Sequence, residues 1–165
     1  MAELLRDEAA RVRFLSAVVL CRVRVIDALP ALHALIAGEE DWHLRSVAVE
    51  AVGRQGGARA LEILQTALQQ ETETEALPSY AVALGATGEA AAITDLLRMA
   101  DGDDWRVRYG AARGLAHLRH PTAVSLADSL AADPEVPEEH RPEMLRWRTN
   151  LRRKIRPEPD EGNQQ

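Results

Sequence analysis

The residues of this chain that could do chemistry are one cysteine and five histidines. Cys21 has no second cysteine with which to form a disulfide or share a metal ion. Only His117 and His120 stand at a spacing that suits metal ligands, but Pro121 follows at once and no carboxylate lies close by in sequence. A glycine-rich phosphate loop is absent as well. We therefore expect no catalytic, cofactor-binding or metal-binding residues, and we favour a non-catalytic role.

The composition favours helices and a reducing compartment. Apolar residues make up 46% of the chain and aromatic residues only 4%, with alanine, leucine and valine dominant. The start of the sequence lacks the basic and then apolar pattern of a secretory signal, and no apolar run approaches the ~20 residues of a membrane span. We expect a cytoplasmic protein without a membrane partner.

The elements that would position any site repeat along the chain. The sequence matches itself four times at a shift of about 32 residues: Val19-Leu20-Cys21 corresponds to Ala51-Val52-Gly53, to Ala83-Leu84-Gly85 and to Gly114-Leu115-Ala116. A period in this range is typical of a solenoid. Each repeat divides into two amphipathic segments, helix A and helix B, and the apolar face of the first helix A includes Leu15 and Val19. The sequence predicts an all-α fold.

The predicted solenoid is a single domain over residues 1–156, with a disordered tail at 157–165. Its four repeats cover about 7–40, 41–71, 72–103 and 104–133, and a capping helix covers about 138–156, with an apolar stripe turned toward the last repeat. The third repeat departs from the pattern because Leu77-Pro78 stands where its neighbours carry an arginine. Proline suits the first turn of a helix, so this helix A should begin near Pro78 after a longer acidic connection.

Two segments carry a resemblance to a known family. Asp41-Trp42-His43-Leu44-Arg45 and Asp104-Trp105-Arg106-Val107-Arg108, each opening a helix A that ends in small residues, resemble HEAT repeats over about residues 7–132. They are especially similar to the short bacterial HEAT-like units named after phycobilisome lyases. The resemblance implies that the recurring aspartate and arginine tie adjacent repeats together. Here these residues are Asp41, Arg45, Asp104 and Arg108.

The same resemblance implies a scaffold that binds another protein along the concave side, which the B helices line. The outward positions of these helices are polar and mostly small, as suits recognition through hydrogen bonds. The tryptophans that follow the two opening aspartates pack over the joints between repeats or offer a binding platform. The predicted protein-binding residues are Glu62, Gln65, Thr66, Thr94, Arg98, Ser125, Asp128, Trp42 and Trp105. The identity of the partner and the oligomeric state stay open.

Two other functions remain open at this stage. The resemblance to lyase-type repeats also allows a tetrapyrrole (bilin) lyase subunit or a chaperone for cofactor maturation. Binding of nucleic acid is the third reading, although a net charge of −6 argues against it because an acidic body repels phosphate. The residues that would carry it lie in the capping helix: Arg146, Arg148, Arg152, Arg153, Lys154 and Arg156.

Overall fold

The computed structural model describes residues 2–155, and all regular structure in that range is helical. Met1 and residues 156–165, which include Arg156 and the predicted tail, lie outside the described residues. Short 3-10 turns at Leu4–Arg6, Ile26–Ala28, Thr74–Ala76 and Ala90–Ala92 precede α1, α2, α5 and α6. The α-helices of the described range are α1 Ala10–Leu20, α2 Leu29–Gly38, α3 Trp42–Gln55, α4 Ala58–Gln70, α5 Leu77–Ala86, α6 Ile93–Ala100, α7 Trp105–His117, α8 Thr122–Ala132 and α9 Arg141–Ile155.

These helices stack as an α-solenoid, which confirms the predicted fold class. The A helices α1, α3, α5 and α7 pack in order against one another. The B helices α2, α4 and α6 each pack against the A helix that follows. The final helix α9 packs against α8 in the same manner. The cap therefore stands, relative to α8, where the A helix of a fifth repeat would begin.

Small residues let the A helices approach closely. A Cβ atom added to Gly53 would lie 2.6 Å from the carbonyl oxygen of Ala83 on α5, and one added to Gly85 would overlap the backbone of Gly114 on α7. Side chains at these positions would force the helices apart. The column of small residues in the sequence is thus the side of helix A that faces the next repeat.

The turn inside the first repeat is held by a residue of the second. This turn has no glycine, and it closes through the 3-10 turn Ile26–Ala28. The buried side chain of Gln55 accepts a hydrogen bond from the backbone N–H of Val25 at 2.5 Å and donates to the carbonyl of Leu20 at 2.9 Å. Because a buried amide needs such partners, Gln55 fixes both the turn and the docking of α3 on α1.

One apolar core runs through the repeats, and a second cluster lies under the cap. Leu20, Leu64 and Leu115 are among the fully buried residues of the main core. The second cluster contains Ala112, Leu130, Val136 and Met144. The A helix of the third repeat, α5, begins at Leu77, with Pro78 in its first turn and the buried Ala76 just before it.

Candidate binding surface

The predicted binding residues of the B helices form most of one surface, which we call the B-helix face. It consists of the outward side chains of α4, α6 and α8. Glu62, Thr66, Thr94, Arg98 and Ser125 are exposed there, whereas Gln65 and Asp128 are half-buried. The hydroxyls of Thr66 and Ser125 donate to carbonyls of their own helices, so their oxygens can still accept hydrogen bonds.

Asp95 joins the parts of this face that lie on α4 and α6. Gln65 Nε2 donates a hydrogen bond of 2.7 Å to Asp95 Oδ2, and Arg98 Nη1 lies 3.4 Å from Asp95 Oδ1. Glu62 pairs with Arg59 on its own helix at 2.8 Å, a fully solvated contact that contributes little stability. The structure therefore brings Gln65 and Arg98 together through a carboxylate that the sequence reasoning missed.

Leu97 is a second residue of this face that the sequence reasoning missed. It is 39% exposed and lies between Thr94 and Arg98 on α6. An apolar side chain surrounded by polar ones is the usual arrangement at the centre of a protein interface. The repeat register could have identified Leu97, because it stands in the third repeat at the position that Gln65 and Asp128 occupy in the second and fourth.

The cap closes the C-terminal end of the B-helix face. Asp128 Oδ2 accepts a hydrogen bond of 2.6 Å from Arg152 of α9, and Arg148 lies 3.7 Å from Asp128 Oδ1. Both arginines are among the residues named above for nucleic-acid binding, and both pair with Asp128 of α8. Asp128 is therefore engaged within the chain, and the open part of the face lies on α4 and α6.

The two tryptophans lie at the joints between repeats, at the first residues of α3 and α7. Trp42 is half-buried against the main core and stacks on His43, with ring centroids 3.6 Å apart. Trp105 packs against the cluster under the cap, and its ring centroid lies 5.4 Å from that of His140. Both indoles therefore pack against other residues of the same chain.

A ladder of arginines and carboxylates runs along the joints. Arg45 Nη2 and Nε donate to the two carboxylate oxygens of Glu71 at 2.7 and 3.1 Å, and Arg45 Nη1 donates to the carbonyls of Glu39 and Glu40, each at 2.9 Å. Arg13 binds the carboxylate of Glu39 at 2.7 Å. Glu39 thus joins two repeats, since its side chain binds Arg13 and its backbone binds Arg45.

Asp41, Asp104 and Arg108 were also predicted to tie adjacent repeats, but their hydrogen bonds lie within their own repeats. Arg108 donates to Asp133 at the end of α8. Asp41 and Asp104 accept hydrogen bonds from the backbone N–H groups of His43 and Arg106 at 2.9 and 2.8 Å, so each holds the N-terminus of its helix A.

The third repeat has Leu77 at the arginine position of the ladder. The hydroxyl of Tyr80, one turn later on α5, donates to Glu71 Oε2 at 3.3 Å. Burial would raise the pKa of Glu71, but the hydrogen bonds from Arg45 and from the backbone of Glu73 lower it. Burial and the nearby Glu71 raise the pKa of Tyr80. Glu71 therefore stays ionised and accepts from both of its neighbours.

Cys21, the candidate nucleophile, is half-buried just after the last residue of α1. Burial and the charge of Glu50 raise the pKa of the Cys21 thiol to about 11, so it is a poor nucleophile at neutral pH. Within residues 2–155, no group of three histidine, cysteine, aspartate or glutamate side chains is placed to hold a metal ion. No helix of that range is both long enough and apolar enough to cross a bilayer.

Lys154 of the cap lines a groove of about 720 Å³ between α7 and α9. Tyr109, Arg113, His117, Trp147 and Lys154 contribute to its lining. Partial burial, and to a smaller extent the charges of Arg54 and Arg113, lower the pKa of His117. The rings of Tyr109 and Trp147 meet edge to face, with centroids 5.5 Å apart. Trp147 is thus packed against α7 rather than open on both faces.

Comparison with known families agrees with this architecture. Residues 1–77 match the family model of the HEAT repeats. No curated protein matches the chain. The molecule is an α-solenoid, and its residues 1–77 are similar to HEAT repeats. HEAT repeats commonly serve as protein-interaction scaffolds.

Proposed function

We propose that this chain is a non-catalytic scaffold that binds a partner protein on the B-helix face. The observation that carries the proposal is Leu97, an apolar side chain exposed on α6 beside the exposed Thr94 and Arg98 of the same helix. The Gln65–Asp95 hydrogen bond joins this part of the face to α4. The leucine offers area for burial, and the polar groups around it offer orientation and specificity.

The proposed contact area covers α4 and α6 rather than the whole array. On α8 the equivalent residue, Asp128, pairs with Arg152 and Arg148 of the cap. A partner that competed for Asp128 would first have to displace α9. Glu62, Thr66, Thr94, Leu97 and Arg98 have no such cover from another helix in the described contacts.

Affinity capture with matched variants tests this function. The tagged chain, expressed in its native cells, should retain a protein partner. Leu97→Asp and Arg98→Glu should each reduce recovery of that partner at least about tenfold, which corresponds to the loss of one interface anchor. The matched controls are Leu145→Asp and Arg146→Glu on the cap, which are also exposed and should leave recovery unchanged. Equal recovery with all four variants would contradict the proposed site.

The finer assignment to the units named after phycobilisome lyases is part of the proposal. It is supported by the spacing of Asp41 with Arg45 and of Asp104 with Arg108. A change in the absorbance spectrum of a bilin or of haem on mixing with the protein would favour a lyase or maturation role instead of a scaffold.

A further inference from the structure

The groove between α7 and α9, which we call the cap groove, gathers cationic side chains. Arg113, His117 and Arg119 line it from α7 and the turn that follows, and Lys154 lines it from the last turn of α9. All four side chains are exposed. Among the described residues, its lining contains one acidic side chain, Glu143 in the first turn of α9. Positive charge therefore exceeds negative charge along the cap groove.

The cations of the cap groove have no carboxylate partner within residues 2–155. Arg113 lies over the ring of Tyr109, with its guanidinium carbon 5.8 Å from the ring centroid. Arg119 and Lys154 take part in none of the ion pairs of that range, whereas the ladder arginine Arg45 binds a carboxylate at two points. The charges in the cap groove are therefore available to an anionic ligand.

Arg119 is held in a backbone conformation that suits glycine better. Its φ is 54°, and no other described residue except glycine has a positive φ. The equivalent positions of the second and third repeats are Gly56 and Gly88, with φ of 73° and 79°. A side chain at such a position costs free energy that glycine avoids, and strain of this kind is typical of functional sites. The fourth repeat thus presents a guanidinium at the mouth of the cap groove at the expense of backbone strain.

The net charge of −6 does not prevent an anion from binding here. The ladder carboxylates Glu71 and Asp133 follow the last residues of B helices, at the end of the repeats where A helices begin. The cap groove cations His117 and Arg119 lie at the opposite end of α7, whose 13 residues span about 20 Å. The Debye length at physiological ionic strength is about 8 Å, so this acidic edge is largely screened from the cap groove.

The rest of the lining favours a peptide over a nucleic acid. Leu151 is buried, and Ala116 and Ile155 are half-buried, so the lining includes apolar surface between the helices. The rings of Tyr109 and Trp147 pack edge to face on each other, whereas binding of single-stranded nucleic acid relies on aromatic faces that are open for bases to stack on. A phosphate backbone would contact the cations but would leave the apolar surface unused. An acidic peptide with an apolar side chain matches both parts.

We propose that the cap groove binds an acidic segment of a partner protein, in which carboxylates flank an apolar side chain. The carboxylates pair with Arg113, Arg119 and Lys154, and the apolar side chain lies against Leu151 and Ile155. The cap groove and the B-helix face consist of different residues, so either proposal can fail without the other.

Selection from a random nonapeptide library displayed on phage tests the ligand class with the full chain as bait. The enriched peptides should be rich in aspartate and glutamate and should share a leucine, isoleucine or phenylalanine. Enrichment of basic or uncharged sequences would contradict the proposal. So would the absence of any enrichment over a surface without the protein.

Fluorescence anisotropy with the most enriched peptide then tests the site. Lys154→Glu and Arg119→Gly should each raise the dissociation constant about tenfold, as expected for the loss of one charge pair. Arg119→Gly should also unfold at the same or a higher temperature, because it relieves the strained backbone, so its weaker binding cannot come from unfolding. Arg146→Glu, an exposed control on α9, and Leu97→Asp on the B-helix face should leave the dissociation constant unchanged. Equal binding by all four variants would overturn the assignment to the cap groove.

Two further measurements exclude other occupants. A labelled oligothymidylate that binds more tightly than the peptide, and weakens with Lys154→Glu, would make the ligand a nucleic acid and overturn the proposal. The variant with Glu158→Gln, Asp160→Asn and Glu161→Gln should bind the peptide as the wild type does. Peptide binding that appears only in this variant would make the acidic segment of the chain itself the occupant, in place of a partner protein.

Discussion

Arg45 and Glu71 form a two-point ion pair that closes the second repeat, with 2.7 Å between Nη2 and Oε1. The carboxylate of Glu71 is only 2% exposed, and it also accepts hydrogen bonds from the backbone of Glu73 and from Tyr80. Glu71 follows the last residue of α4 and reaches α3 and α5. A single carboxylate thus connects the second and third repeats at the place where the arginine pattern is interrupted.

Removal of Arg45 should destabilise the protein strongly. Arg45→Ala leaves the buried Glu71 charge without its main partner, which costs about 3 kcal/mol in the free energy of unfolding. Arg59→Ala is the matched control, because Arg59 is 71% exposed in its pair with Glu62 and should contribute less than about 0.5 kcal/mol. Urea denaturation followed by circular dichroism measures both. Similar losses in the two variants would contradict a structural role for the Arg45–Glu71 pair.

Acid should weaken the fold through Glu71. Its pKa lies below the ordinary value of 4.5 in the folded protein, so the unfolded chain takes up the proton more readily. The stabilising contribution is complete above about pH 4.5 and is lost as the pH falls through the lower folded pKa. Glu71→Gln should be less stable than the wild type at neutral pH, and the difference should shrink in acid. A constant difference from neutral pH down to pH 3 would argue against this origin.

The contact between α5 and α7 should not tolerate a methyl group. Gly85→Ala places a Cβ atom into the backbone of Gly114 and should cost about 2 kcal/mol or more through overpacking. Gly38→Ala is the control, since a Cβ atom there meets nothing within 4 Å near the end of α2. That change should be neutral or stabilising by a few tenths of a kcal/mol. Thermal unfolding of the two variants separates these outcomes.

The thiol of Cys21 should react slowly in the folded protein. A pKa of about 11 leaves far less thiolate at pH 8 than the ordinary value of 9.0 allows. Alkylation should therefore be slower than in the unfolded chain by a factor on the order of 100. Reaction rates with and without urea, followed by mass spectrometry, give the ratio. Equal rates would show that neither burial nor Glu50 protects the sulfur.

The period of the sequence was sufficient to predict the solenoid, since the column from Gly53 to Gly85 and its apolar neighbours determine how the A helices stack. The carboxylate partners of the ladder arginines could also have been predicted from the sequence. Arg13 with Glu39 and Arg45 with Glu71 share a spacing of 26 residues that the sequence displays.

The remaining features depend on contacts that the repeat period of the sequence does not reveal. Asp128 resembles an outward groove residue in sequence, but α9 packs against α8 and pairs with it. Leu15 and Val19 have the pattern of a buried helix face, yet the stack has no preceding helix to cover them within the described residues. Asp95 was missed because its partner, Gln65, belongs to the adjacent repeat. Whether these side chains are covered, exposed or paired depends on contacts with neighbouring elements, which the repeat period does not specify.

Photo-crosslinking from position 97 tests the central claim most directly. A photoreactive phenylalanine analogue replaces Leu97 in one variant and Leu145 in a matched variant, and both are irradiated in the native cells. The scaffold account predicts a covalent adduct with one partner protein from position 97 and none with that protein from position 145. Adducts with the same protein at equal yield from both positions, or no protein adduct from position 97, would contradict it.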